Sequence, residues 1–266
     1  MLFTDQLNRT IELHEAPKRI VSIVPSQTEL LFDLGLDETV VGITKFCIHP
    51  KEWFKTKTRV GGTKKVNIAK VAELKPDLII ANKEENLKED IEALESIAPV
   101  WISDIKTLED ALQMIDEIST ITVKNDKANE LVNQIRVDFS YLKDMKYSSK
   151  FHTTKTCCYL IWNNPYMTVG SDTFINDMFQ YCGLQNVFSN KKRYPVVTIE
   201  EIVNAAPAMV LLSSEPYPFK QKHIDELQHC LPNTKIILVD GEMFSWYGSR
   251  LLKSAKYFQE LIKTIN

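Results

Sequence analysis

Short apolar runs alternate with helical patterns along the whole chain. Runs at Ile20–Val24, Val40–Ile43, Leu78–Ala81, Val100–Ile102, Cys158–Trp162, Met209–Leu212 and Ile236–Val239 are rich in Ile and Val. That composition predicts strands buried on both faces. Strands that alternate with helices predict βαβ units and parallel sheets. Helix starts are marked as well. Ser26 followed by Glu29 predicts a capping box ahead of Leu30, Leu31 and Leu34, with Gly35 in the C′ position. Thr198 with Glu201 predicts a second box, and Asn67 predicts a further N-cap.

From Asp126 to Lys146 the apolar residues are Ala128, Leu131, Val132, Ile135, Phe139 and Leu142, at steps of three and four. This is one stripe on one continuous helix, with no internal Gly or Pro. It reads as a connector between two lobes; the alternative is an ordinary packed helix inside one domain. An internal repeat favours the connector. Asn67-Ile-Ala-Lys-Val-Ala-Glu-Leu-Lys-Pro76-Asp-Leu-Ile-Ile-Ala81 lines up with Thr198-Ile-Glu-Glu-Ile-Val-Asn-Ala-Ala-Pro207-Ala-Met-Val-Leu-Leu212, always 131 residues apart. Each copy has a cap, a short helix, a proline and a buried strand. The expected fold is α/β: two Rossmann-like lobes with parallel-rich sheets, joined by one long helix, with a ligand cleft between them. The expected boundaries are an N-terminal lobe at 1–120, a connecting helix at 121–150 and a C-terminal lobe at 151–266.

Composition narrows the function. The chain has 266 residues and a net charge of −3, so nucleic acid is not the default partner. None of its eight glycines forms G-x-G, which excludes the dinucleotide fingerprint and the P-loop. G-x-S-x-G, H-E-x-x-H and C-x-x-C are absent too. Five cysteines cannot all pair within one chain, which favours a reducing compartment. The first residues, MLFTDQLNRTIELHEAPKR, show no apolar signal-peptide core and no lipobox. A full-length chain is therefore expected in the cytoplasm; a trimmed leader would make it periplasmic.

Several side chains are candidates for a site. Cys47 and His49 offer a soft thiolate and an imidazole two residues apart, as metal-facing groups; the alternative is a loop histidine that only hydrogen-bonds. Gly61-Gly62-Thr63 allows close backbone approach to a ligand. Lys64, Lys65, Lys191, Lys192 and Arg193 would form a basic rim suited to an anionic ligand, or simply a solvated charged surface. Glu84 follows a strand end, where open sheets place ligands, or else sits in the first turn of a capped helix. Trp162, Trp246 and Tyr247 offer stacking surfaces or core packing, and Arg250 fixes their loop. Vicinal Cys157 and Cys158 point to opposite faces of a strand and read as buried thiols.

Pro17-Lys-Arg-Ile-Val-Ser-Ile-Val-Pro25-Ser-Gln-Thr-Glu-Leu, Val41-Gly-Ile-Thr and Leu74-Lys-Pro-Asp-Leu-Ile-Ile-Ala resemble the helical-backbone substrate-binding proteins of ABC importers. Ser26-Gln-Thr-Glu-Leu and Tyr194-Pro195 before Thr198-Ile-Glu-Glu are most similar to the cobalamin-binding branch. The resemblance implies a non-enzymatic receptor with no built-in cofactor, a monomer whose ligand is cobalamin, another corrinoid, haem or a ferric siderophore. It implies a ligand surface at Pro25, Ser26, Phe46, Cys47, Gly62, Thr63, Asn82, Glu84, Trp162, Tyr194, Glu242, Met243, Trp246 and Tyr247. Two tryptophans of the cobalamin binders fall at Thr63 and Asn82 here. The family docks on its permease through one acid per lobe; these fall at Glu200 and at Ala69. The alternative is an intracellular enzyme or metallochaperone that processes a corrinoid or iron chelate.

Overall fold

The computed structural model describes residues 1–147 and 154–265. The expected boundary at 150–151 lies outside the described residues. The chain divides into two units. One holds Met1–Ile105, Glu109–Gln134 and Trp246–Arg250; the other holds Lys106–Leu108, Ile135–Ser245 and the chain from Leu251 on.

The first unit is built on a five-stranded parallel sheet of β1 (Ile20–Ser22), β2 (Val40–Ile43), β3 (Thr58–Arg59), β4 (Leu78–Asn82) and β5 (Val100–Ser103), in the order β3-β2-β1-β4-β5. β1 and β4 are buried along their whole length, as Ile/Val runs covered on both faces must be. Val21, Ile23, Ile79, Ala81, Val71 and Leu94 form one core on that sheet. The second unit has β6 (Lys155–Leu160), β7 (Leu184–Asn186), β8 (Met209–Ser213) and β9 (Lys235–Val239), parallel, in the order β7-β6-β8-β9. Its core joins Cys158, Leu160, Val210 and Leu212 to Ile202, Leu227 and Phe219. The periodicity misses β3 and β7, because both are short edge strands made mostly of polar residues.

Helix α1 (Pro25–Asp33) follows β1, and α2 (Ile68–Glu73) precedes β4. The helix expected over 126–146 is one unbroken helix, α3 (Asn125–Tyr147), which leaves the first unit after Gln134 and continues in the second. α4 (Ile199–Ala205) precedes β8, α5 (Gln221–Cys230) precedes β9, and α6 (Leu251–Ile265) ends the fold.

The repeat holds down to backbone angles. Asn67 Oδ1 accepts from the Lys70 N–H at 3.0 Å, and Thr198 Oγ1 accepts from the Glu201 N–H at 3.1 Å. Glu201 answers from its side chain, so the second capping box is complete. After each helix one non-glycine residue turns left-handed ahead of the proline: Lys75 at φ 46° and Ala206 at φ 43°. The box predicted at Ser26 does not form. α1 starts two residues earlier, with Val24 as N-cap and Pro25 at N1, and Val24 has no capping side chain. Glu29 is instead drawn to Arg250, 221 residues away, with Nε–Oε2 at 2.7 Å and Nη2–Oε1 at 2.9 Å.

Candidate functional site

Every strand of both sheets is parallel within its sheet, so the loops that leave the carboxyl ends gather at one edge of each sheet. The strand order of the first sheet reverses between β1 and β4, and that of the second between β6 and β8.

In the first unit, Pro25 and Ser26 lie just beyond β1, both buried; the Ser26 hydroxyl has no hydrogen-bond partner among the described residues. Phe46 follows β2 and is half exposed, at 50%. Its ring is backed by Gly62, where an added Cβ would lie 3.1 Å from the ring, and the Lys45 ammonium stands 5.0 Å over it. Thr63 and Glu84 are half-buried. The Thr63 carbonyl accepts from Asn86 at 3.0 Å, and the Glu84 carbonyl accepts from Lys64.

Two expected ligand contacts are corrected. Cys47 has no exposed surface, and its thiol is bonded to Thr28 at 3.1 Å and Thr44 at 3.2 Å. Burial pushes that thiol up to about 11, so it is neither a thiolate nor turned outward, and the soft metal pair with His49 is not assembled. Among the described residues no cluster of three or more His, Cys, Asp or Glu could hold a metal ion. His49 meets the edge of Trp246, with ring centroids 5.6 Å apart. Asn82 is buried and shapes its own loop: Oδ1 accepts from the Glu84 and Glu85 N–H groups, and Nδ2 donates to Ser103. A short amide that closes a turn stands where the resemblance places a tryptophan of the cobalamin binders.

Trp246 and Tyr247 are buried, at 7% and 5% exposed. The Arg250 guanidinium lies 4.6 Å over the Trp246 ring, and Tyr247 donates to Glu85 at 3.3 Å. Arg250 does fix this loop, through Glu29.

In the second unit, Trp162 follows β6 and is 40% exposed, edge-on to Tyr217 at 5.7 Å. Tyr194, on a loop, and Glu242 and Met243, in the short helix Gly241–Ser245, are half-buried in the same unit. The Glu242 N–H donates to Asp240. Glu200 is exposed in the first turn of α4, and Ala69 is exposed in the first turn of α2. In the basic rim, Lys191 pairs with Glu201 at 2.9 Å and Lys192 donates to Ser171 at 3.0 Å. The sequence reading missed the Glu29–Arg250 pair, which has no local signature, and Tyr217. The Pro216-Tyr217-Pro218 triplet at a strand end was the available sign of an aromatic held rigidly there. A separate cavity of about 620 Å³ opens at the amino end of β5. Arg9, its cation, is bonded to Asp5, Glu95 and the Val100 carbonyl.

The periplasmic binding protein family model matches residues 20–229, most of the chain. The chain belongs to this family. It has relatives in several bacteria. An uncharacterised ABC transporter substrate-binding lipoprotein, YvrC of Bacillus subtilis, is 25% identical over 97% of this chain and 84% of its own length. The vitamin B12-binding protein of Vibrio parahaemolyticus is 26% identical over 75% of this chain and 72% of its own. The periplasmic haem-binding protein RhuT of Roseiflexus superposes with a TM-score of 0.81 at 18% identity, over 94% of this chain and 99% of that one. These findings overturn the cytoplasmic expectation, because the relatives are periplasmic proteins or lipoproteins, and they point outside the cytoplasm. The odd cysteine count misled for a physical reason. Cys47, Cys157, Cys158 and Cys182 are buried, so they stay reduced without a reducing compartment.

Proposed function

We propose that this protein is the substrate-binding component of an ABC importer and captures a flat metal chelate, a corrinoid or haem. One observation carries the reading. Two large rings, Phe46 and Trp162, face solvent from loops at the carboxyl ends of parallel strands, each braced from behind. Solvent-facing aromatics at that edge of a sheet are a stacking surface in search of a flat partner. The relatives named for vitamin B12 and for haem support the same class. Phe46, Thr63, Glu84, Trp162, Tyr194 and Glu242 are the proposed contacts. Docking on the permease would use the exposed Glu200, and the matching position on α2 is Ala69, which brings no charge.

Thermal shift with cyanocobalamin, dicyanocobinamide, haemin and a ferric catecholate tests this. A ligand at a hundredfold excess over its Kd adds about 2.7 kcal/mol, several degrees in Tm for a protein of this size. At least one of the first three is expected to do so, and no shift with any of them would reject the reading.

A further inference from the structure

The loops after β6 and β8 leave neighbouring strands where the order of the second sheet reverses, since β6 has β7 on one side and β8 on the other. Open α/β sheets take ligands in the crevice at such a point. Trp162 and Asn163 stand on the first loop and Tyr217 on the second. Tyr217 packs against Phe219 at 4.8 Å and against His223 at 5.4 Å. His223, in the first turn of α5, is only 3% exposed.

Proton positions follow by elimination. The backbone N–H of Lys220 can only donate, and it ends on His223 Nδ1 at 2.8 Å. That ring nitrogen is therefore bare, because a hydrogen on it would meet another N–H. A neutral imidazole then carries its hydrogen on Nε2, 3.1 Å from the Tyr217 oxygen, and donates it there. Asn163 Nδ2 donates to the same oxygen at 3.4 Å. Both lone pairs of the phenol oxygen are occupied, and its own hydrogen has no acceptor among the described residues.

We propose that Tyr217 is a ligand-contacting donor. It gives its hydroxyl hydrogen to an acyl oxygen, amide or carboxylate, at the rim of a flat conjugated chelate lying on the Trp162 indole. A rim group that offers N–H instead finds the phenol oxygen already filled, so the site selects acceptors. His223 is a positioning residue that fixes the direction of the phenol hydrogen. The inference rests on the function proposed above and deepens it.

Tyr217→Phe removes the hydroxyl and keeps the ring. Titration of wild type and variant by tryptophan quenching uses two probes: dicyanocobinamide, with amides at its rim, and protohaemin, with carboxylates. The variant is expected to bind the amide probe about three- to tenfold more weakly, or the carboxylate probe roughly ten- to a hundredfold more weakly. Binding of a probe by wild type with no loss in the variant would overturn the proposal, since the hydrogen would then be spent on Asn163. If wild type binds neither probe, the proposed function falls. The donor is still judged by ¹⁵N imidazole spectra of the ligand-free protein. His223 with a bare Nδ1 and a protonated Nε2 upholds it; the reverse tautomer overturns it.

Discussion

Cys47 shows how a residue legible in the sequence can be misread. The spacing Cys47-Ile-His49 suits soft metals, yet the neighbouring threonines and the strand end enclose the thiol, and enclosure is a tertiary property. Burial raises the thiols of Cys47, Cys157, Cys158 and Cys182 above the ordinary value of 9.0, to about 11 for Cys47. The sign follows directly. The fold favours the neutral thiol, so this stability is fully present below about pH 9 and is lost as pH rises through the folded value. The thermal midpoint should therefore fall between pH 9 and 11. Cys230 is the exposed cysteine. One thiol should react rapidly with a disulfide reagent in the native protein and all five in denaturant, and Cys230→Ser should abolish the fast phase.

At the scale of elements, most of the fold was written in local pattern. Strands β1, β2, β4, β5, β8 and β9 follow Ile/Val runs, and α2, α3 and α4 follow caps and apolar spacing. The unwritten part is the return of Trp246–Arg250 to the first unit. Gly248, at φ 95°, lets that segment lie against α1: an added Cβ there would be 3.3 Å from Leu30 Cβ and 3.5 Å from the Ser26 carbonyl oxygen. Arg250 then closes on Glu29, with side chains only 4% and 6% exposed. Nothing near either residue in sequence announces a partner 221 positions away. Arg250→Met should remove the charge partner of a buried carboxylate and cost about 3–5 kcal/mol. The double change with Glu29→Met should recover much of that loss. Urea melts of the three variants check it; a single variant within about 0.5 kcal/mol of wild type would mean the pair is not buried in solution.

At the scale of the whole molecule, the chain is two copies of one idea: cap, short helix, left-handed residue, proline, buried strand, repeated 131 residues on. The copies differ at the position that the proposed docking would use. The second carries Glu200 in its first helical turn, and the first carries Ala69. A carboxylate there is favoured by the helix dipole and can pair with a permease arginine. Ala69→Glu should tighten binding to the cognate permease by about tenfold or more, as close interfacial charge pairs couple by roughly 1.5–7 kcal/mol. Titration against the reconstituted permease reads this directly, and an unchanged affinity would remove α2 from the interface. The ring-bearing loops were legible as aromatics near strand ends. Which rings face solvent was not, because Phe46 and Trp162 differ from Trp246 only in what folds over them. The most direct test of the account is therefore equilibrium titration of the intact protein with dicyanocobinamide and haemin, comparing wild type with Trp162→Ala. The account predicts saturable one-to-one binding of at least one probe, weakened about tenfold or more in the variant as its stacking face is lost. Absence of saturable binding, or full affinity without the Trp162 ring, would contradict it.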